Sequence, residues 1–483
     1  MRKIVYVLFL YIAASAMGQA TPTPTPSPSP TPPDVKAFDP ADEVGQLKKN
    51  CPFHSIPGCL QVLFTGQPVH IAVGSIAPQN GFATGLAYVG GHNNVSGNWR
   101  NTWNADGVVS PNLSWRTGVY LKFVDSRIKD IGIQKGTKGI NSNPTGADEQ
   151  PVINVYVQAI TLNKLMFFGL GPGSTLAGRS FYGMHETIAG ASAIKPFNDH
   201  KVNAGVYAEL NGRWVDIRPP NDGSLPAIQT LYTDATAPGL TTQPFFLQLG
   251  VGARMRPDWK RLHLDYDLAF RPYIATTDSR FTFSRLTADL QHEFQLYGRG
   301  FPISRSTNGP DDCSVDQPPK DSITGEVPSR VKSCSTEYTR NKTGTINVRA
   351  FTSLSTTTGS GGVPFYFQPT LGGGDVNGNQ SLSAYTDYRF RAPNVLLTRE
   401  IFEHTLGKWP IGFLLSADQG KVALQSGDLG SNPWLHTFAT GLTVRAGGFP
   451  VLSVVFAWGH EGTHILANVN NSLLGTSGRP SLF

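Results

Sequence analysis

His460-Glu461-Gly462-Thr463-His464 is a literal H-E-x-x-H. In a zinc protease this spacing works on a helix, where residues four apart share a face, two imidazoles bind one ion and the Glu acts on its water. The flanks here do not read as helix. Val454, Val455 and Phe456 precede the motif, and Gly459 and Gly462 interrupt it; each glycine costs roughly 1 kcal/mol in a helix interior. In one straight strand the imidazoles would stand about 13 Å apart, too far to share an ion. In a hairpin with Glu461-Gly462 at its tip they approach each other across the strands. His460 and His464 are therefore weak metal candidates, with no Asp, Glu or His after His464 to complete a set. Zinc proteolysis stands as the minor alternative.

Other motifs offer less. Gly169–Ser174 is glycine-rich but no Lys follows, so it reads as a turn rather than a phosphate cradle. His185-Glu186 lies on an alternating segment, Arg179–Ile188, and reads as facing a lumen. There is no G-x-S-x-G. The expectation is a protein that is not an enzyme, with no catalytic residue and no cofactor.

The elements that would carry these residues alternate with period two. In RLHLDYDLAF, Leu262, Leu264, Tyr266, Leu268 and Phe270 oppose Arg261, His263, Asp265, Asp267 and Ala269. RLTADLQHEFQL, FFLQLGVGARM and KVNAGVYAEL behave alike. Successive strand side chains point to opposite faces, so each segment has one apolar and one polar face. A soluble sandwich also alternates. These segments are longer than the usual five or six residues, and their apolar faces carry large residues almost throughout. Those features predict a transmembrane antiparallel β-barrel, an all-β fold of sixteen strands between Leu60 and Phe483. The chain has no further helix-length apolar run, and only a closed barrel then satisfies the backbone in lipid.

Composition agrees with an envelope protein. Charged residues are 15% of the 483, the net charge is +6, and no long Lys/Arg run suggests nucleic acid. Arg2 and Lys3, the apolar run Ile4–Ala16 and the small residues at Ala16, Gly18 and Ala20 have the layout of a signal peptide, residues 1–20. Residues 21–34 begin with alternating Pro, a semi-rigid spacer. Residues 35–59 form a short segment with Cys51 and Cys59; with Cys313 and Cys334 these make an even set, favouring Cys51–Cys59 and Cys313–Cys334 disulfides after export. The connections Gly300–Thr343 and Gly359–Ala384 are long enough to fill or cap a barrel. The expected surroundings are outer-membrane lipid and other envelope proteins.

The last third of the chain resembles the bacterial surface antigen superfamily, the barrels of outer-membrane assembly and two-partner secretion factors. Val363-Pro364-Phe365, Leu371-Gly372-Gly373 and Arg389-Phe390-Arg391 are similar to that family's loop and the strand after it, and Asp418-Gln419-Gly420 to its inner-wall strand. The resemblance implies a loop folded into the lumen, whose tip Arg pairs with the wall Asp, here Asp418. In this chain the tip reads Leu382-Ser383-Ala384-Tyr385, with Ser383 in place of the Arg and the aromatic Tyr385 kept. Asp418 then needs Arg389 or Arg391, or stands as an ordinary lumen carboxylate. The family's folding and secretion members carry periplasmic capture domains before the barrel; Pro33 to Leu60 leaves no room for one. The expected role is a pore or a membrane-insertion or translocation component. A passive diffusion porin or structural barrel is the alternative.

Overall fold

The computed structural model describes residues 69–93, 99–125, 151–197, 202–259, 261–306, 335–406, 411–446, 449–469 and 480–482. The expected signal peptide, spacer and short N-terminal segment and all four cysteines lie outside these residues.

Among the described residues one sheet holds sixteen long strands and the two-residue strand Asp258–Trp259. The long strands are β1 Val69–Ser75, β2 Phe82–Asn93, β3 Trp99–Val109, β4 Trp115–Asp125, β5 Val152–Phe167, β6 Ser180–Pro196, β7 Ala204–Arg218, β8 Phe246–Met255, β9 Leu262–Ala275, β10 Phe283–Ser306, β11 Ser335–Thr357, β12 Asn394–Thr405, β13 Ile411–Ala423, β14 Leu435–Ala446, β15 Phe449–Gly459 and β16 Gly462–Val469. Each pairs antiparallel with the next, from Val69↔Tyr88 to Gly459↔Gly462. This is the sixteen-stranded barrel the alternation predicts.

The two faces sort as the period requires. On β9, Leu268 and Phe270 are exposed while Ala269 between them is buried. On β8, Leu249 and Val251 are exposed and Gln248 is buried. Leu86, Val119, Leu210, Leu286, Leu442 and Ile465 continue the outward apolar belt. So large an exposed apolar surface is stable against acyl chains rather than water. Inward charges find partners instead. Arg213 donates to Glu186 at 2.7 Å, Arg271 to Glu209 at 2.6 Å, and Arg349 grips Asp289 with two bonds of 2.7 and 2.8 Å.

His185 and Glu186 divide between the faces. Glu186 is buried against Arg213, whereas His185 faces outward beside Trp115, ring centroids 5.7 Å apart. A one-residue step along a strand always reverses the face; the pair cannot both line the lumen.

Gly300–Thr343, read from sequence as a connection, is in part ladder. β10 and β11 have 24 and 23 residues and stay paired from Phe283↔Thr357 to Ser306↔Ser335. At about 3.4 Å per residue such strands outrun the 9–11 residues that cross a bilayer. Gly298, Gly300 and Pro302 on one strand and Glu337, Arg340 and Lys342 on the other give this part of the sequence the composition of a loop, although the backbone pairing continues.

The β11–β12 connection, residues 358–393, draws the sheet edges together. Tyr388 donates its hydroxyl to the carbonyl of Pro78, just after β1, at 3.0 Å, and Arg389 grips Glu461, just before β16. One loop thus touches both ends of the ladder, as it does when the wall curves round it.

Candidate functional site

Residues 358–393 pack against the inner face of the wall. Their first part is aromatic. Pro364 precedes a short turn, Phe365–Phe367, all three rings buried. Phe365 packs edge-on against Phe167 and Tyr182 at 5.2 and 5.1 Å between centroids, and Phe367 packs against Phe246 at 5.0 Å. Rings from β5, β6 and β8 thereby meet rings of the loop inside the wall, and edge-to-face pairs of this kind add about 0.5–1.5 kcal/mol each beyond burial. Arg285 on β10 donates to the carbonyl of Phe367.

The loop then doubles back. Thr370–Leu371 pairs with Phe390–Arg391, and Gly373–Gly374 with Gln380–Ser381. Gly372 and Gly373 have φ of +102° and +58°. A Cβ on Gly373 would stand 2.6 Å from the backbone nitrogen of Asp387. Only glycine meets both demands cheaply.

The tip Leu382–Tyr385 presses on β13, β14 and β15. Small wall residues make room for it. A Cβ on Gly420 would lie 2.9 Å from Leu371, and one on Gly459 2.9 Å from the Cβ of Ala384. Ala384, Ala439 and Ala457 form their own buried cluster. Tyr385 stacks edge-on with Phe390 at 5.0 Å.

Ser383 sits on Asp418. Its backbone N–H and its hydroxyl both point at one carboxylate oxygen from 3.3 Å. Asp418 is buried, and its other oxygen faces Arg399 Nε of β12 at 3.2 Å. Neither Arg389 nor Arg391 reaches it, contrary to the pairing considered above. Arg399 is its cross-strand neighbour, with Cα atoms in register, and needs no loop rearrangement to arrive. Arg399 also donates to the carbonyl of Gln380 at 2.6 Å, so it holds wall and loop together.

Arg389 takes a different carboxylate. Its Nε donates to both oxygens of Glu461 at 3.0 and 2.9 Å, and a terminal nitrogen donates at 2.7 Å. The remaining donors go to the hydroxyl and carbonyl of Ser174, in the β5–β6 connection, at 2.9 and 3.1 Å. The guanidinium lies over the rings of Phe390 and Phe168. Arg391 donates to the Phe365 carbonyl at 2.7 Å and to the Tyr182 hydroxyl at 3.1 Å. The RFR triplet thus ties loop to loop and loop to wall.

The H-E-x-x-H residues lie on strand, turn and strand. His460-Glu461 is the two-residue turn closed by Gly459↔Gly462, one position earlier than the expected tip, and His464 sits in β16 opposite Ala457. Gly462 takes φ of +117°. The helix that would align both imidazoles is absent, and the Glu serves Arg389. Among the described residues no group of three His, Cys, Asp or Glu is placed to hold a metal.

Burial raises the carboxyls of Asp375 and Asp387 above the ordinary range. Asp387 accepts from the N–H of Gly374 at 2.8 Å and from Gln79 at 3.4 Å, linking the loop to the β1–β2 connection. Sequence reading missed Glu461 as a latch because the motif's spacing drew attention to metal. It also missed Arg399, which no loop motif contains.

No family model matches the chain, and no curated protein does. Among solved structures it is similar to CdiB from Acinetobacter baumannii (11% identity, TM-score 0.44, 83% of this chain and 60% of that one) and CdiB from Escherichia coli (12%, 0.46, 83% and 61%). It is also similar to BamA from Haemophilus ducreyi lacking POTRA domains 1-3 (10%, 0.46, 83% and 69%). The chain spans about 60% of the length of the two CdiB chains. The barrel assignment itself rests on the ladders and the two sorted faces.

Proposed function

We propose that this chain is an outer-membrane barrel of the translocation or membrane-insertion kind, exported through its N-terminal signal peptide and held shut at rest by residues 358–393. One observation carries this reading: the loop's aromatic turn and its RFR triplet occupy the lumen and are bonded to the wall on several sides. A passive diffusion porin works through a standing aqueous passage; rings packed edge to edge across the interior are the opposite arrangement. Beside its buried rings the loop is held by one ion pair and a set of hydrogen bonds to hydroxyls, carbonyls and the Asp418 carboxylate, contacts that a client or an envelope partner can exchange for its own. Asp418, Ser383, Arg399 and Gln380 form the hinge side; Arg389, Glu461 and Ser174 form the catch.

Planar-bilayer conductance tests this. The full chain is expected to give small, infrequent openings, and deletion of residues 374–387 a several-fold larger, steady current. A large constant conductance in the full chain, unchanged by the deletion, would assign the protein to the passive porins.

A further inference from the structure

β16 ends at Val469, yet further along the chain Leu482 is buried against the loop, with Ser481 beside it exposed. The carbonyl of Ser481 accepts from a terminal nitrogen of Arg213 at 2.7 Å. The backbone N–H of Leu482 donates to the side-chain oxygen of Asn377, in the loop, at 2.9 Å. Leu482 is buried in the same apolar cluster as Val376 and Tyr388. Arg213 is 1% exposed, and its other nitrogens are committed to Glu186 and Gln248. A buried guanidinium needs hydrogen-bond partners, and this segment supplies the partner of the third nitrogen.

We propose that Pro480–Leu482 is an intramolecular ligand of the lumen, a second and displaceable stop seated against the loop. The inference rests on the plugged-barrel reading and adds its regulation. Both hydrogen bonds go to main-chain atoms, so the seat recognises an extended backbone carrying one aliphatic side chain, here Leu482. Asn377 belongs to the loop and Arg213 to the wall, so the segment staples the one to the other. While it is seated, the loop has an extra anchor; when it leaves, Arg213 loses a partner and Asn377 is free to move.

The test uses the full barrel in nanodiscs and a capped, fluorescent peptide of residues 476–482 as probe. A chain truncated after Arg479 is expected to bind the peptide saturably, and the full chain at least about tenfold more weakly, since its own segment competes. Asn377→Ala in the truncated chain should weaken binding several-fold, and a peptide with Leu482→Asp should not bind. Should truncation prevent folding, Leu482→Asp in the full chain vacates the seat and is expected to bind the probe equally well. Equal binding by full and vacated chains, or none by a folded vacated chain, would overturn the proposal. Conductance of the vacated chain separates the two readings. If the probe fails to bind while the current stays small and still rises on deleting 374–387, the loop plug stands and the second stop falls. If the full chain conducts widely, the plugged-barrel reading falls first.

Discussion

Glu461 holds Arg389 across 72 residues of chain, joining the turn of the last hairpin to the far end of the β11–β12 loop. Arg389 is 4% exposed at its side chain and Glu461 17%. An ion pair this buried and this well aligned is costly to break one-sidedly, about 3 kcal/mol when one partner is removed. Arg389→Ala or Glu461→Ala is therefore expected to release the loop without unfolding the wall, read as faster proteolysis within 374–387 while the barrel keeps its heat-modifiable gel mobility. The exchange Arg389→Glu with Glu461→Arg should recover part of the protection. Cleavage unchanged in both single variants would remove the catch from the account.

The glycine pair gives a second expectation. Gly373→Ala places a methyl against the Asp387 backbone at a φ of +58°. Strain of this kind costs about 1–3 kcal/mol, and it should fall on loop docking, raising the rate of opening in single-channel records. Gly378→Ala, at a positive φ with open space around it, should do less.

The lipid face is tested by charge. Val251→Arg puts a guanidinium on the outward belt of β8 and is expected to cost about 2–4 kcal/mol in a folding titration from urea into lipid. Gln291→Arg, on the inward face of β10 opposite Asp265, should cost well under half of that. Equal costs would contradict the assignment of faces.

Acidity should tighten the plug. Asp375 and Asp387 are raised by burial above their ordinary 3.8, so the docked loop binds more protons than the released one. Docking is then strongest below the ordinary carboxylate value and weakens as pH rises through the raised one. Protease protection of the loop, followed upward from about pH 4, is expected to decline, and Asp387→Asn should flatten the curve. Protection that grows with pH would reverse the sign and discard burial as the cause.

The wall was largely legible in the residues. Leu268 and Phe270 against Ala269, or Leu249 and Val251 against Gln248, declare two faces because lipid and lumen make opposite demands on neighbouring positions. The long hairpin was not, because its glycines, proline and charges, such as Gly298, Gly300, Pro302, Arg340 and Lys342, read like a loop and backbone pairing leaves no mark in residue type. Within the site, Gly372, Gly373, Ser383, Tyr385 and Gly420 marked the loop and its contact with β13. The partners of the arginines were hidden. Arg389 meets Glu461 only where the loop enters the barrel, and Arg399 meets Asp418 only through the register of one hairpin; neither leaves a local pattern.

The most direct measurement is a cross-link between loop and wall. In a chain whose four native cysteines are replaced by serine, Ala384→Cys and Gly459→Cys bring together two positions whose Cβ atoms would stand 2.9 Å apart, so the loop tip must give by somewhat under an ångström to reach the roughly 3.8 Å of a relaxed disulfide. Mild oxidation of the folded protein in lipid is expected to join them rapidly and to hold the bilayer current at its small resting value until reductant is added. Two thiols that stay free in the folded barrel, or a cross-linked barrel that conducts as widely as one lacking residues 374–387, would show that the loop does not close the lumen.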